Sequence, residues 1–141
     1  MIELSLIITW IIFCIVDGIT DGFTFNKSYL ANNFNNNWKG IDIHAWFTLK
    51  RSITYLYVVF LAYYYAGVES AILIALSNCL VFPFLHDGTM YLSRKKNYPL
   101  GFFHDPTLND TSSAKLNIGT PTRILLFALG MGLYSILLII I

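Results

Sequence analysis

The chain has 141 residues, of which 56% are hydrophobic and only 12% are charged, and its mean hydropathy is +0.61. A soluble domain of this length would carry about twice that share of charged residues, so the composition argues against a soluble globular protein. A net charge of +1 leaves no excess of basic residues from which to build a nucleic-acid-binding face. The composition predicts an integral membrane protein whose residues 1–141 form a single membrane domain.

Four apolar segments come close to the length that crosses a bilayer, because a helix of about 20 apolar residues, or fewer when flanking side chains reach the interface, spans the hydrocarbon core. In chain order they cover residues 2–24, 44–66, 70–86 and 122–141. The second and third segments are joined by a very short turn, so we expect them to form an antiparallel hairpin. The sequence therefore predicts an all-α protein that folds as a four-transmembrane-helix bundle.

The first segment carries two acids near its end. It lacks the basic start and the small-residue cleavage site of a secretory signal, so we expect it to be retained as a helix. Asp17 and Asp21 are four residues apart and share a helical face with Trp10 and Cys14. Because a carboxylate near hydrocarbon is costly unless it is paired, hydrated or bound to a cation, this face is predicted to point into the bundle.

The second and third segments bring further polar side chains to a similar depth. Helical spacing places His44 and Arg51 on one face of the second segment, and Asn78 and His86 on one face of the third. At 1.5 Å of rise per residue, Arg51 and His86 lie about 22 and 25 Å from the outer ends of their helices, and Asp17 lies about 21 Å from the outer end of its own. These groups are therefore predicted to meet at the inner mouth of the bundle.

A long polar segment, residues 87–121, precedes the fourth helix. It begins with Asp87, directly after His86, and it contains a second His-Asp pair at His104 and Asp105. That pair follows the apolar stretch "YPLGFF". We expect this stretch to dip back toward the bundle mouth, which would bring a third histidine near the other two.

The basic residues are distributed asymmetrically about the predicted membrane. All nine fall on the side of the two long loops, residues 25–43 and 87–121, and the positive-inside rule places that side in the cytoplasm. Both termini are then extracytoplasmic. Arg94, Lys95 and Lys96 are expected to contact anionic lipid headgroups. Small residues at helical spacing on the fourth helix would permit close helix packing, including oligomerisation.

The acids and histidines at the inner mouth have the composition of a divalent-metal site. Imidazole and carboxylate ligands on facing helices suit zinc, iron or manganese, although the spacing here matches no established signature. The candidate ligands are Asp17, Asp21, His86, His44 and His104. The supporting groups are Asp87, Arg51 and Asp105.

This cluster suggests three functions. The first is a metal-dependent hydrolase that acts on a lipid or another amphipathic substrate. The second is a non-catalytic membrane protein, such as an assembly, lysis or immunity-type factor, in which Arg51 pairs with Asp17 or Asp21 and the cluster is structural. The third, a transport path, is disfavoured because the outer half of every segment has few polar side chains. The expected partners are the lipid bilayer and anionic lipid headgroups. Nucleic acid is not expected as a partner.

Overall fold

The computed structural model describes residues 1–30, 37–38, 41–94 and 119–140, with side chains described for 1–23, 46–90, 92–93, 119 and 121–140. Within these residues the elements are helix α1 (Ile2–Leu30), strands β1 (Asn37–Trp38) and β2 (Ile41–Asp42), helix α2 (Ile43–Arg94) and helix α3 (Thr120–Ile140). The two short strands pair antiparallel, with Asn37 opposite Asp42. The predicted helical fold is confirmed, and the three described helices are each long and apolar enough to cross a membrane.

Helix α2 is interrupted at Gly67, where φ is 88° and ψ is 179°. A positive φ is readily adopted only by glycine, because other residues have a Cβ that clashes with the backbone there. The interruption divides α2 into arm one, residues 43–66, and arm two, residues 68–94. Arg51 Nη2 of arm one lies 2.8 Å from His86 Nε2 of arm two, whereas a straight helix would separate these residues by about 52 Å. The two arms therefore fold back on each other as the predicted hairpin.

The helices extend beyond the apolar segments from which they were predicted. Helix α1 continues to Leu30 rather than ending near residue 24, and arm two continues to Arg94 rather than ending near residue 86. Hydropathy indicates where a chain leaves hydrocarbon, but backbone hydrogen bonding continues through polar residues of adequate helix propensity. The helices are therefore longer than the apolar segments from which they were predicted.

Two glycines bring α1 into close contact with arm two. A Cβ atom at Gly18 would overlap Thr89 Oγ1 and the carbonyl oxygen of His86, and one at Gly22 would overlap Ser93 Oγ. Small residues four positions apart let helix backbones approach in this way. Because Asp17 and Asp21 each directly precede one of these glycines, the same contact holds both acids beside arm two.

The middle of the bundle contains a neutral hydrogen-bonded cluster, formed by Trp10, Asn78 and Tyr134. Trp10 Nε1 donates to the carbonyl oxygen of Asn78 at 3.2 Å, and the Tyr134 hydroxyl donates to Asn78 Oδ1. All three residues are almost completely buried. They belong to α1, arm two and α3, so the neutral cluster joins three helical segments around the apolar core.

Helix α3 packs on arm two through Gly130. A Cβ atom at this position would lie 2.7 Å from Val81 Cγ1, closer than real Cβ atoms approach a neighbour. The small residues identified in the sequence, Ala128, Gly132 and Ser135, instead lie on an exposed face of α3. Their role in oligomerisation stays a prediction.

Candidate metal centre

Three of the predicted ligands converge between α1 and arm two. Asp17, Asp21 and His86 are 3%, 2% and 4% exposed, and one ligand atom from each lies within 4.8 Å of the others. Asp17 Oδ2 is 3.5 Å from His86 Nε2, so the predicted proximity of these residues is confirmed. We call these residues the Asp–Asp–His group. This buried group could hold a metal ion, because carboxylate and imidazole are common ligands of divalent metals.

Two cations of arm one cover the carboxylates. Arg51 Nε donates to Asp17 Oδ2 at 2.7 Å, and Arg51 Nη2 donates to Asp21 Oδ2. Lys50 Nζ forms an ion pair with Asp17 Oδ1. The Lys50 and Arg51 side chains are 33% and 26% exposed, whereas those of the two acids are at most 2% exposed. The acids thus lie beneath two cations that reach the edge of the bundle.

The imidazole of His86 is held at both nitrogens and on one face. Nδ1 lies 3.0 Å from Asp87 Oδ1, and Nε2 lies 2.8 Å from Arg51 Nη2 and 3.1 Å from Asp21 Oδ2. Phe82 stacks on the ring with centroids 4.8 Å apart.

The contact with Arg51, which can only donate, fits one tautomer of His86, whereas the 3.1 Å contact of Nε2 with Asp21 Oδ2 would need an Nε2–H group. An Nδ1–H group can donate to the carboxylate of Asp87, which leaves an Nε2 lone pair to accept from Arg51. The two hydrogens of Arg51 Nη2 then serve His86 and Asp21 separately. A carboxylate on one nitrogen of the imidazole, with a lone pair on the other, is also the usual arrangement of a metal-binding histidine.

An additional ion pair connects the site to α3. Arg123 Nη2 lies 2.9 Å from Asp87 Oδ2, and Arg123 is itself buried. The contacts therefore run without interruption through α1, both arms of α2 and α3. We call this set the charged network, and its members are Lys50, Arg51, Asp17, Asp21, His86, Asp87 and Arg123. Three acids and three bases make the charged network formally neutral when His86 is neutral.

One carboxylate oxygen of the network lacks a protein partner. Asp21 Oδ1 is buried and makes no hydrogen bond to any residue that the structure describes. An unmet buried acceptor of this kind carries a substantial desolvation cost. Within the Asp–Asp–His group, Asp21 Oδ1 is therefore the atom best able to bind a further ligand.

The remaining predicted site residues fall outside what the structure describes. His44 lies in the first turn of α2, but its side chain is not among those described, and His104 and Asp105 lie outside the described residues altogether. Conversely, Lys50 and Arg123 belong to the charged network although they were not among the predicted site residues. Arg123 could have been paired with Asp87 on depth alone, since both lie near helix ends on the same side of the bundle.

Comparisons with known proteins assign the chain to no group. No family model, no curated protein and no solved structure matches it. The features of the chain that bear on its function are the Asp–Asp–His group and the charged network.

Proposed function

We propose that the chain is a metal-dependent membrane hydrolase that acts on a lipid or another amphipathic substrate. The observation that carries the proposal is the buried Asp–Asp–His group, which two facing helices supply and which Asp87 supports from behind. A divalent zinc, iron or manganese ion bound there would supply a Lewis acid and an activated water for the hydrolysis of an ester or amide. The position of the group at one end of the bundle favours substrates that lie in the membrane interface.

The residues of the site have distinct roles in this proposal. Asp17, Asp21 and His86 would hold the ion, and Asp87 would orient the imidazole through Nδ1. The Arg51 guanidinium, which contacts all three ligands, would give up these contacts when an ion binds and could then stabilise negative charge on a substrate oxygen.

The proposal includes four membrane crossings, with the charged network at the cytoplasmic face. Each arm of α2 exceeds the roughly 20 residues that a crossing needs, and the basic residues lie with the two long loops. In a cysteine-free background, a single cysteine at Val68, which is exposed beside the interruption at Gly67, should react with an impermeant thiol reagent in intact cells, and one at Asn109 should be protected. External labelling at Asn109 would overturn the orientation.

A non-catalytic function is the second candidate, and the ion pairs of Arg51 and Lys50 favour it. Both acids already have cationic partners, so a metal would have to displace them. In this alternative the charged network only stabilises the packing of the helices, and the chain is an assembly, lysis or immunity-type factor. Removing one member of a buried ion pair destabilises a protein by about 3–5 kcal/mol even when no metal is involved.

Metal content and stability, measured together, separate the two candidates. The detergent-purified protein should contain close to one zinc, iron or manganese ion per chain by elemental analysis, and chelation should lower its melting temperature. Asp17→Asn and His86→Ala should each lose the metal. Glu69→Gln is the matched control, because it removes an exposed carboxylate distant in sequence from the Asp–Asp–His group, and it should retain the metal.

The opposite result would leave only the non-catalytic candidate. Sub-stoichiometric metal in the wild-type protein, with melting indifferent to the chelator, is incompatible with the proposed hydrolase. Near-stoichiometric metal that both variants lose would justify a screen of lipid esters and amides, with product release as the readout.

A further inference from the structure

The cationic edge of the charged network has capacity for another ligand. Arg51 uses Nε and Nη2 to contact the Asp–Asp–His group, and its Nη1 donates to none of the residues that the structure describes. Lys50 Nζ and Arg51 Cζ lie 5.1 and 5.9 Å from the ring centroid of Phe47. Cation–π contacts of this kind help to orient the two side chains while leaving them partly exposed.

The charge of the network changes when a metal binds. Without a metal, the three acids balance Lys50, Arg51 and Arg123. A divalent ion on the Asp–Asp–His group adds two positive charges and takes the carboxylates that Lys50 and Arg51 now use. Uncompensated charge beside hydrocarbon is costly, so the metal-bound state requires an anion at this edge.

We propose that Lys50 and Arg51 bind a phosphate group when a divalent ion occupies the Asp–Asp–His group. The inference rests on the proposed metal site and specifies a phosphate-bearing lipid as its substrate class. Phosphate oxygens match the planar donors of an arginine and the point charge of a lysine. A lipid phosphate lies in the interface that these side chains reach, and a free phosphate ion would offer the same chemistry.

This arrangement makes metal and phosphate binding mutually dependent. If phosphate stabilises the metal-bound state, it must tighten metal binding by the same factor by which the metal tightens phosphate binding. The affinity for Zn²⁺ therefore reports on phosphate binding without any need for catalysis.

The experiment measures the Kd for Zn²⁺, at a buffered free concentration, in maltoside micelles that contain no phosphate. Three additions are compared: phosphatidylglycerol, oleate and inorganic phosphate. Oleate reproduces the negative surface of the micelle without a phosphate group, so it controls for accumulation of Zn²⁺ at a charged surface. We expect phosphatidylglycerol to lower the Kd about fivefold or more relative to oleate, within the usual range of coupling between sites.

The Lys50→Gln variant tests whether this edge of the network is responsible. It should bind Zn²⁺ in plain micelles at least as tightly as the wild-type protein, because Asp17 loses a competing cation, while the preference for phosphatidylglycerol over oleate falls below about twofold. Lys27→Gln, which removes a basic residue of α1 that is not a member of the charged network, is the control and should keep the full preference.

The possible outcomes distinguish this inference from the proposed function. Zn²⁺ binding that is equal with phosphatidylglycerol and oleate, or a preference that Lys50→Gln retains, overturns the phosphate site and leaves the metal site standing. Absence of Zn²⁺ binding in every micelle overturns both. If inorganic phosphate and the lipid both lower the Kd for Zn²⁺ relative to oleate, the phosphate site is supported and the phosphate group is sufficient. If only the lipid lowers it, the site is supported as one that binds a lipid headgroup.

Discussion

The bundle buries polar groups in two regions that differ in chemistry. The charged network at one end joins its helices through ion pairs, and the neutral cluster of Trp10, Asn78 and Tyr134 joins its helices through hydrogen bonds between uncharged groups. Asn78 and His86 are eight residues apart on arm two, so the two regions are separated by about 12 Å along the helix.

The charged network lies nearer the helix ends than the neutral cluster does, and this difference in position fits the charged side chains of one and the uncharged side chains of the other. The cost of a charge rises toward the bilayer centre, whereas a long basic side chain near a helix end can reach the interface. The Lys50 and Arg51 side chains are 33% and 26% exposed, while their carboxylate partners are covered. Neutral donors and acceptors suit the middle of the bundle because they need no counterion, although the buried Asn78 Nδ2 makes no hydrogen bond to any residue that the structure describes.

Removing Arg51 should lower the free energy of unfolding more than any change to the neutral cluster does. Arg51→Met leaves Asp17 and Asp21 with Lys50 as their remaining cation among the described contacts, so we expect the free energy of unfolding in the presence of chelator to fall by about 3–5 kcal/mol. Denaturant unfolding in micelles measures it. Zn²⁺ at about 100 times its Kd should restore about 2.7 kcal/mol, because the ion takes over the neutralisation of the acids.

A companion variant shows whether the loss arises from unpaired charge. Asp17→Asn and Asp21→Asn introduced together with Arg51→Met should recover part of the lost stability, since no buried carboxylate is then left without a partner. A triple variant no more stable than Arg51→Met alone would show that packing of the arginine side chain, and not its charge, is what the helices require.

Disrupting the neutral cluster should have a smaller and metal-independent effect. Tyr134→Phe removes the hydroxyl that donates to Asn78 Oδ1, and we expect a loss of about 1 kcal/mol, as is typical of one hydrogen bond between membrane helices. Chelator and Zn²⁺ should change the stability of this variant as they change that of the wild-type protein. A loss comparable to that of Arg51→Met, or an altered metal content, would mean that the two regions are not independent.

Sequence patterns could predict much of the candidate site because helix periodicity and depth are both regular. The spacing of Trp10, Asp17 and Asp21 predicted one inward face of α1, and all three residues are buried. Depth counting predicted that His86 and Arg51 would meet the acids, and the structure brings them within hydrogen-bonding distance.

Other features depend on how close the helices come and on side-chain reach. Lys50 neighbours Arg51 on a different part of the helix surface, and only its long flexible stem lets it contact Asp17. The close approach of α1 to arm two had a signal in the sequence, the spacing of Gly18 and Gly22. Spacing alone, however, does not identify the helix that a glycine contacts.

The interruption at Gly67 has a consequence for how the protein enters its membrane. Since a single residue joins the two arms of α2, no folded loop has to form between them, and a hairpin this tight can be inserted as one unit. Insertion in this way would bring Arg51 and His86 together early, at the open end of the hairpin. Arms one and two together form the surface against which the acids of α1 lie, and α1 completes the Asp–Asp–His group by packing on arm two through Gly18 and Gly22.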